Sequence, residues 1–465
     1  MKRFILLIIV SLVGLPTWAV GYLPSVLTQE MLNSEGETFY VRANFTLAGE
    51  TLTVPAGKTL VFIGGTLDNG EIVGSETAIR MRQSRPAFGL DLVISGTWNV
   101  PEVHDGWFAF DNSEGFVSNQ IIKNILAFSN DETPCHIFFE EDRTYYFELP
   151  YKGRGDLGLL VGTKVVNGQE KRDYAKLLRD EFDYLRIFTI PSNTHFTVNN
   201  KLKMLPTSIG AYFVFWEYGK HDITIDGEGT IAGDNDWHLY DKPFLGKSYF
   251  GEWGQVFRCL RCSDFVFRDI TITDSFGDCI IYSGSYNPDE KAPRWSSGLL
   301  MENVKIFGAR RNGLAVGAKD VIIRNCHFEN CGTDEVKGTK PRAGVDFEPD
   351  GLNYYPEIGN ENVLMENCTF KNNYYDIATY NNNKANYGKV ATTVRNCTFS
   401  APVRITQSHW FRFENCYFSS LSNTGLGRHL EFNNCEFGEI EQEMVKAPKH
   451  YYYFFTNCKF NTKKK

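Results

Sequence analysis

The sequence lacks the features that mark several common classes of protein. Beyond its first 20 residues, no apolar segment is long enough to cross a bilayer. The formal net charge is −8, so the chain has no basic excess of the kind that binds nucleic acid. It contains no glycine-rich phosphate loop and no serine-hydrolase elbow. With 42% hydrophobic and 22% charged residues, the composition is otherwise that of a globular protein.

The first 20 residues have the organisation of a secretory signal peptide. Lys2 and Arg3 precede an apolar run from Phe4 to Leu15, and small residues for cleavage follow. A run of about 12 apolar residues is too short for a membrane anchor. We therefore predict a signal peptide over residues 1–20 and an exported protein, periplasmic or extracellular, without a membrane span.

The C-terminal half repeats one short pattern. Each copy has a strand-like apolar run, an asparagine, and a phenylalanine three or four residues later. The asparagines of the seven copies are Asn303, Asn325, Asn367, Asn396, Asn415, Asn434 and Asn457. Their spacing of 19 to 42 residues fits one coil of a β-solenoid, with an inserted loop in the longer intervals. The fold class is therefore predicted to be an all-β solenoid with stacked asparagine and cysteine ladders.

Cysteine is common here, with eleven residues, but its positions argue against a disulfide framework. Six cysteines directly follow a repeat asparagine, namely Cys326, Cys368, Cys397, Cys416, Cys435 and Cys458. We expect them to stack in the core as free thiols. Cys259 and Cys262 have no matching second pair, which favours packing over metal binding. Asn367 and Asn396 lie in glycosylation sequons, but as members of the ladder we expect both to be buried.

The N-terminal half has short strands separated by Gly and Pro, and it is less regular. Asn167 to Phe188 is the one stretch that could be partly helical, and we interpret it as an insertion. We predict an N-terminal β-rich subdomain over residues 21–184 and the solenoid domain over residues 185–462.

The longest intervals between copies all lie between residue 269 and residue 396. Long loops in a compact solenoid are usually functional, so we place a binding groove on these coils. Four strand-like segments cross this region, starting at Asp278, Gly313, Gly344 and Asp376.

The third of these segments carries the best candidate catalytic residues. Val345 and Phe347 should point into the core, so Asp346 and Glu348 should point outward, about 6.5–7 Å apart by strand rise. That spacing lies at the lower edge of the range for the acid and base of an inverting glycosidase. Asp278 is a candidate third carboxylate. The alternative is a solvated acidic face or a pair neutralised by Arg342.

Other residues near these carboxylates could bind substrate. Arginine forks suit carboxylate or sulfate groups, although the same arginines could simply neutralise the acidic residues. Aromatic rings in the loops could stack on sugars or pack on the solenoid. The predicted substrate-binding residues are Arg310, Arg311, Asn312, Arg342, Asp350, Trp295, Tyr354 and Tyr355.

The segment from Ile223 to Phe460 resembles the right-handed parallel β-helix proteins of the pectate-lyase-like superfamily, which includes polygalacturonases, pectate lyases and epimerases. Three stretches carry the resemblance: "DGEGTIAG", "DITITDSFGDCIIYSG" and "ARRNGLAVGAKDVIIRNCHFENCGTDEVKGTKPRAGVDFEPDG". The resemblance implies a right-handed parallel β-helix. Polygalacturonase motifs are altered, with Gly277-Asp278 in place of an aspartate pair, and no Arg-Ile-Lys is present.

These observations favour a glycoside hydrolase that cleaves an anionic polysaccharide by paired-carboxylate catalysis. One alternative is a polysaccharide lyase or uronate epimerase, in which Asp and Glu would bind Ca²⁺ and Arg or Lys would act as base. Another is a non-catalytic glycan-binding β-helix. For the hydrolase we expect no cofactor and no metal site, and a polysaccharide or oligosaccharide as the binding partner.

Overall fold

The computed structural model describes fifteen stretches of the chain. These are residues 25–34, 36–113, 115–150, 163–166, 168–172, 185–209, 211–239, 253–287, 292–335, 338–348, 359–380, 389–406, 409–423, 428–440 and 453–461. The predicted signal peptide lies outside them. No helix among the described residues is both long enough and apolar enough to span a membrane.

The N-terminal part is built from short parallel strands around an apolar core. Its strands are β1 (Ser25–Val26), β2 (Thr38–Val41), β3 (Asn44–Thr46), β4 (Thr51–Thr53), β5 (Thr59–Phe62), β6 (Thr66–Asp68), β7 (Gly70–Met81) and β8 (Leu92–Asn99). Two short helices, α1 (Gln29–Asn33) and α2 (Asn119–Leu126), pack on this part of the core through their apolar faces.

The rest of the chain coils into a parallel solenoid with three stacks of strands. The first stack contains β9 (Glu102–His104), β10 (Cys135–Phe139), β15 (Thr194–Val198), β18 (His221–Asp226), β21 (Ser263–Arg268), β26 (Ser296–Glu302), the second part of β28 (Leu314–Arg324), β31 (Glu361–Glu366), β34 (Thr392–Arg395), β37 (His409–Glu414), β39 (Arg428–Asn433) and β41 (Tyr453–Thr456).

The second stack follows the first across the asparagine bend. It contains β11 (Thr144–Phe147), β16 (Lys201–Met204), β19 (Thr230–Ala232), β22 (Thr271–Thr273), β27 (Lys305–Phe307), β29 (His327–Glu329), β32 (Thr369–Lys371), β35 (Thr398–Phe399), the first part of β38 (Tyr417–Asn423), β40 (Glu436–Ile440) and β42 (Lys459–Phe460).

The third stack closes each coil. It contains β14 (Arg186–Phe188), β17 (Phe213–Tyr218), β20 (Gln255–Leu260), β23 (Ile280–Ser283), the first part of β28, β30 (Ala343–Phe347), β33 (Tyr375–Tyr380), β36 (Val403–Thr406) and the second part of β38. Two antiparallel hairpins branch off: β12 (Thr163–Val166) with β13 (Gln169–Arg172), and β24 (Ser285–Asn287) with β25 (Ala292–Arg294).

The repeat asparagines form the bend between the first and second stacks. Asn367, Asn396 and Asn415 have φ values of +53°, +54° and +52°, a left-handed conformation that asparagine tolerates better than most residues. Their side-chain amides bond from coil to coil at 3.1–3.4 Å. The expectation that these asparagines are buried is wrong. The bend turns them toward solvent, and both sequon asparagines are exposed.

The cysteine that follows each bend asparagine points inward. All eleven cysteines are free, and ten are buried. Of the six predicted core thiols, five are buried as expected, and Cys458 in the last coil is half-buried. Cys259 and Cys262 are both buried in the core. The side chains of the phenylalanines stack in the same core, as Phe413 does on Phe432 at 5.3 Å between ring centroids.

The parallel pairing of the solenoid strands continues on the N-terminal side of residue 185. Parallel pairing runs without a break from β9, which starts at Glu102, through β10 to β15, and β11 pairs with β16. Strands on either side of residue 185 therefore belong to the same stacks. Within Asn167 to Phe188, the described residues form β13 and β14, and Leu185, directly before β14, has a helical conformation. Residues 173–184, where most of the predicted helical part would fall, lie outside the described stretches.

Candidate functional site

The four strand-like segments predicted to line the groove do lie side by side. Strands β23, β28, β30 and β33 pair in that order in the third stack. Their register aligns Ile281, Ala315, Asp346 and Ala378 in one row across the strands. Since side chains alternate along each strand, this row lies on the outer face of the stack.

Strand β30 places Asp346 on the outer face without exposing it. Val345 and Phe347 belong to the core cluster, as predicted from the alternation. Asp346 is fully buried, and so are the other four residues of β30. The prediction that Asp346 faces outward is therefore correct for the strand face, but its carboxyl group lies beneath neighbouring side chains.

Arg311 is the centre of the acidic cluster. Its Nη1 lies 2.7 Å from Oδ2 of Asp278, and its Nη2 lies 3.4 Å from Oε2 of Glu348. Its Nε donates to the Lys340 carbonyl oxygen at 3.1 Å. The Arg311 side chain is only 9% exposed, so this one guanidinium joins acidic residues from two different coils in a largely dry environment.

Asn312 connects the same two coils through a second set of hydrogen bonds. Its backbone N–H donates to Oδ1 of Asp278 at 3.0 Å, and its Nδ2 donates to Oδ2 of Asp346 at 3.3 Å. Its own side-chain oxygen accepts from the backbone N–H of Ala343 at 3.0 Å. Asn312 is fully buried, so it holds the aspartates in place and does not face solvent.

Burial sets the protonation of the two aspartates. It raises the pKa of Asp346 well above its usual value, and the nearby charge of Glu348 raises it further, while Arg311 opposes this. Burial also raises the pKa of Asp278, although the charge of Arg311 and hydrogen bonds from Arg311 and Asn312 pull it down. Burial therefore favours the protonated form of Asp346, whereas Asp278 is paired with the Arg311 cation.

Asp346 and Glu348 interact directly. Oδ1 of Asp346 is buried and has no donor among the described residues, and the nearby charge of Glu348 raises the pKa of Asp346. A raised pKa favours the protonated form, and a protonated carboxyl group can donate to a carboxylate. The separation of about 6.5–7 Å between the two carboxyl groups stays a prediction from strand rise.

Two cavities of about 270 and 260 Å³ open on either side of the Arg311–Glu348 pair, and both residues line each of them. The first cavity is also lined by Lys340, Pro341, Ala378, Thr379, Arg404 and Thr406. The second is also lined by Trp253, Gln255, Arg258, Ile281, Ser283 and Ala315. The Glu348 side chain is 32% exposed, and it is the one carboxyl group on the described walls of either cavity.

Comparison with known proteins identifies the solenoid. Residues 256–437 match a protein-family model described as a right handed beta helix region. The fold is therefore a right-handed parallel β-helix. This confirms the fold class predicted from the repeat and from the resemblance.

One curated protein with partial similarity is the uncharacterized protein YclG of Bacillus subtilis (strain 168), which is 29% identical over 190 residues. The match covers 40% of this chain and 31% of YclG, so the chain spans about a third of that protein.

Three solved structures match this chain at low identity and with TM-scores below 0.5. The tailspike gp49 of Acinetobacter baumannii bacteriophage Fri1, described as a capsular polysaccharide depolymerase, is 13% identical with a TM-score of 0.38, covering 92% of this chain and 57% of that one. The tailspike of Escherichia coli bacteriophage HK620 in complex with pentasaccharide is 10% identical with a TM-score of 0.43, and the match covers 77% of this chain and 65% of the tailspike. The surface adhesin PfbA of Streptococcus pneumoniae is 10% identical with a TM-score of 0.38, and the match covers 93% of this chain and 84% of PfbA.

Two of the other predicted binding residues, both arginines, lie elsewhere in the β-helix. Arg310 is 2% exposed, bonds to the Phe276 carbonyl oxygen, and donates to Thr339 at 2.7 Å. Arg342 donates to the Gly332 carbonyl oxygen at 2.5 Å, and its guanidinium lies 3.7 Å from the Tyr374 ring centroid. Among the described residues, neither arginine lines either cavity.

The remaining predicted binding residues are aromatic or acidic loop residues. Trp295 packs under the ammonium group of Lys319 at 4.1 Å and is not among the cavity-lining residues that the structure describes. Asp350, Tyr354 and Tyr355 lie outside the described residues. The cation paired with the acidic residues is Arg311, and not Arg342 as the alternative interpretation had it.

Sequence analysis missed the basic residues at the two far ends of the site. Arg258 and Arg404 each line one cavity, and both lie in the same row as Asp346. The signal that could have found them is strand register, because extending the alignment of the third-stack strands by one coil in each direction brings both arginines into the row.

Proposed function

We propose that the protein is a glycoside hydrolase that acts on an anionic polysaccharide bound along the outer face of the third stack. One observation carries this proposal. Glu348 lies between two cavities whose other described charged residues, Arg258, Arg311, Lys340 and Arg404, are all basic, and burial raises the pKa of the neighbouring Asp346. A basic groove on a chain with a net charge of −8 points to an acidic ligand.

The carboxyl pair supplies the acid and base chemistry. Glu348 has the exposed surface and contacts the glycosidic linkage, while the buried Asp346 holds the proton and acts through Glu348. The proton passes along their hydrogen bond to Glu348 and then to the oxygen of the leaving sugar as the glycosidic bond breaks. Water adds to the anomeric carbon, and its proton returns to the pair, which completes the cycle.

Arg311 and Asn312 keep this pair in register. Arg311 holds Glu348 through its 3.4 Å contact, while Asn312 holds Asp346 through its 3.3 Å hydrogen bond. Both residues also donate hydrogen bonds to Asp278, so Asp278 fixes the positions of Arg311 and Asn312. In this proposal Asp278 is a positioning residue, because its carboxyl group is fully buried behind Arg311.

The proposal is tested by assaying variants on a panel of plant and host polysaccharides, with reducing ends and unsaturated uronates measured in parallel. Glu348→Gln should abolish the release of reducing ends. Asp346→Asn should lower the rate by about 10²- to 10⁴-fold, the usual contribution of general acid–base catalysis. Glu302→Gln, on the first stack, is the matched control and should retain full activity. Full activity in both groove variants would remove the pair from the mechanism.

The same assay separates the alternatives. The lyase or epimerase alternative assigned Ca²⁺ to the acidic residues, but these surround the Arg311 guanidinium, and the described residues contain no group of three or more side chains arranged to hold a metal ion. Lys340, which lines one cavity, would then be the candidate base. Unsaturated products that disappear on chelation would favour the lyase, and binding without any new chain ends would favour a glycan-binding protein.

A further inference from the structure

One outward row of the third stack has an arginine near each end of the groove. The strand register aligns Arg258 with Ile281, Ala315, Asp346, Ala378 and Arg404, in that order. Small or apolar side chains occupy the positions between the two arginines and Asp346. The row therefore forms a groove floor with uncharged side chains on both sides of Asp346 and an arginine at each end.

Each of these arginines is placed against an aromatic ring. The guanidinium of Arg258 lies 5.4 Å from the ring centroid of Phe213 and 5.6 Å from that of Trp216. The guanidinium of Arg404 lies 5.5 Å from the ring centroid of Tyr375. Such cation–π contacts limit the freedom of a long side chain, so less entropy is lost when an anion binds.

Strand spacing gives the distances between these positions. Parallel strands stack about 4.8 Å apart, so Arg258 lies three strands, or about 14 Å, from Asp346. Arg404 lies two strands, or about 10 Å, from Asp346 on the other side. The two arginines are thus about 24 Å apart along the solenoid axis. No single sugar unit spans that distance, so a ligand that contacts both must be a polymer with acidic groups on both sides of Glu348.

We propose that Arg258 and Arg404 are two anion-binding subsites that hold one polyanionic glycan across Glu348. This inference rests on the proposed function for the position of the cleaved bond, and it adds the substrate class and binding mode. The substrate is a polyuronate or a sulfated polysaccharide, with acidic groups about three strand spacings before the bond on one side and two after it on the other. Cleavage then occurs at internal linkages, because both sides of the bond must be occupied.

The experiment measures binding separately from turnover, in the Glu348→Gln background. The probes are size-fractionated oligomers of galacturonate, alginate and chondroitin sulfate, with methyl-esterified galacturonate oligomers as the uncharged counterpart. Arg258→Gln and Arg404→Gln are compared with Arg80→Gln, an exposed arginine on β7 of the N-terminal part. Thermal melting of each variant checks that the fold is retained.

We expect at least one acidic polymer to bind more tightly than the uncharged counterpart. Each groove variant should weaken binding of long oligomers by about 10- to 100-fold, the usual effect of one charge-assisted contact, and should lower the salt dependence. Oligomers of two units should lose affinity in at most one of the two variants. The Arg80 control should bind like the parent.

Three results would overturn the subsites: equal binding of charged and uncharged oligomers, groove variants that bind like the Arg80 control, or no binding to any of the acidic probes. The two proposals can fail separately. If the native protein cleaves an uncharged polymer, the hydrolase stands and the subsites are wrong. If acidic polymers bind through both arginines and are never cleaved, the subsites stand and the hydrolase is wrong.

Discussion

Replacing Arg311 with Met should destabilise the protein in a strongly pH-dependent way. Methionine fills a similar volume and removes the charge, so the fully buried Asp278 loses the cation that lies 2.7 Å away. Breaking a buried ion pair by removing one partner typically costs about 3–5 kcal/mol, because the remaining charge is uncompensated. The variant should therefore lose about that much of its free energy of unfolding at pH 8.

The loss should shrink in acid, because Asp278 can escape the penalty by taking up a proton. From a usual pKa of 3.8, protonation costs about 1 kcal/mol at pH 4.5 and almost 6 kcal/mol at pH 8, at 1.36 kcal/mol for each pH unit. Protonation is therefore the cheaper route only at low pH. The penalty develops as pH rises above the pKa of the unfolded state, and we expect a loss of about 1–2 kcal/mol at pH 4.5.

The measurement is urea unfolding of the native protein and Arg311→Met at pH 4.5 and pH 8, followed by tryptophan fluorescence. Arg311→Met combined with Asp278→Asn should recover most of the stability at pH 8, because no buried charge then remains. The control is Lys319→Met. Lys319 forms a partly solvent-exposed ion pair with Glu361, so its loss should change the free energy of unfolding by less than about 1 kcal/mol at either pH. An equal loss at both pH values, or no recovery in the double variant, would refute this account of the cluster.

Further predictions concern other parts of the molecule. Burial raises the pKa of Glu217 to about 8 in the folded protein, so this residue lowers the free energy of unfolding as pH rises from about 4.5 to 8. In urea unfolding, Glu217→Gln should therefore be up to about 3–5 kcal/mol more stable than the native protein at pH 8 and nearly equal to it at pH 4.5. Burial also raises the pKa of Asp346, so activity should fall as pH rises past that value, and Asp346→Asn should lack this fall in a pH–rate profile; an unchanged profile would contradict the role of Asp346. Ala378→Leu should narrow the cavity that Ala378 lines and weaken oligosaccharide binding by at least about 10-fold in a titration. Asn396→Ala should lose about 1–2 kcal/mol of unfolding free energy, and Asn396→Gly clearly less, because the left-handed bend suits glycine.

Much of the fold could be predicted from the sequence because its cause is local and repeated. Each coil shows its strand, its bend asparagine and its inward cysteine within about ten residues, and stacking does the rest. The orientation of Asn367 was not predictable in this way. A residue at a bend can turn either inward or outward, and only the left-handed backbone of the actual turn decides which.

The candidate site was predicted in part for the same reason. Strand alternation placed Asp346 and Glu348 on one face, and the neighbouring strands brought Asp278 close. Whether two carboxyl groups converge depends on side-chain torsions and on the neighbours that cover them, and neither is visible in a spacing. Arg311 and Arg342 are equally basic in the sequence, and only the three-dimensional position of each guanidinium shows that Arg311 is the one between the acids.

The cysteine ladder has a consequence for the timing of folding. Ten of the eleven thiols are buried once the coils have stacked, so an oxidant in solution has almost nothing to react with. Before stacking, the same thiols lie on an open chain and can pair with one another in ways that the coils cannot accommodate. In an oxidising environment, coil formation therefore has to be faster than disulfide formation. Each coil that stacks buries its own cysteine and protects that thiol from cross-linking.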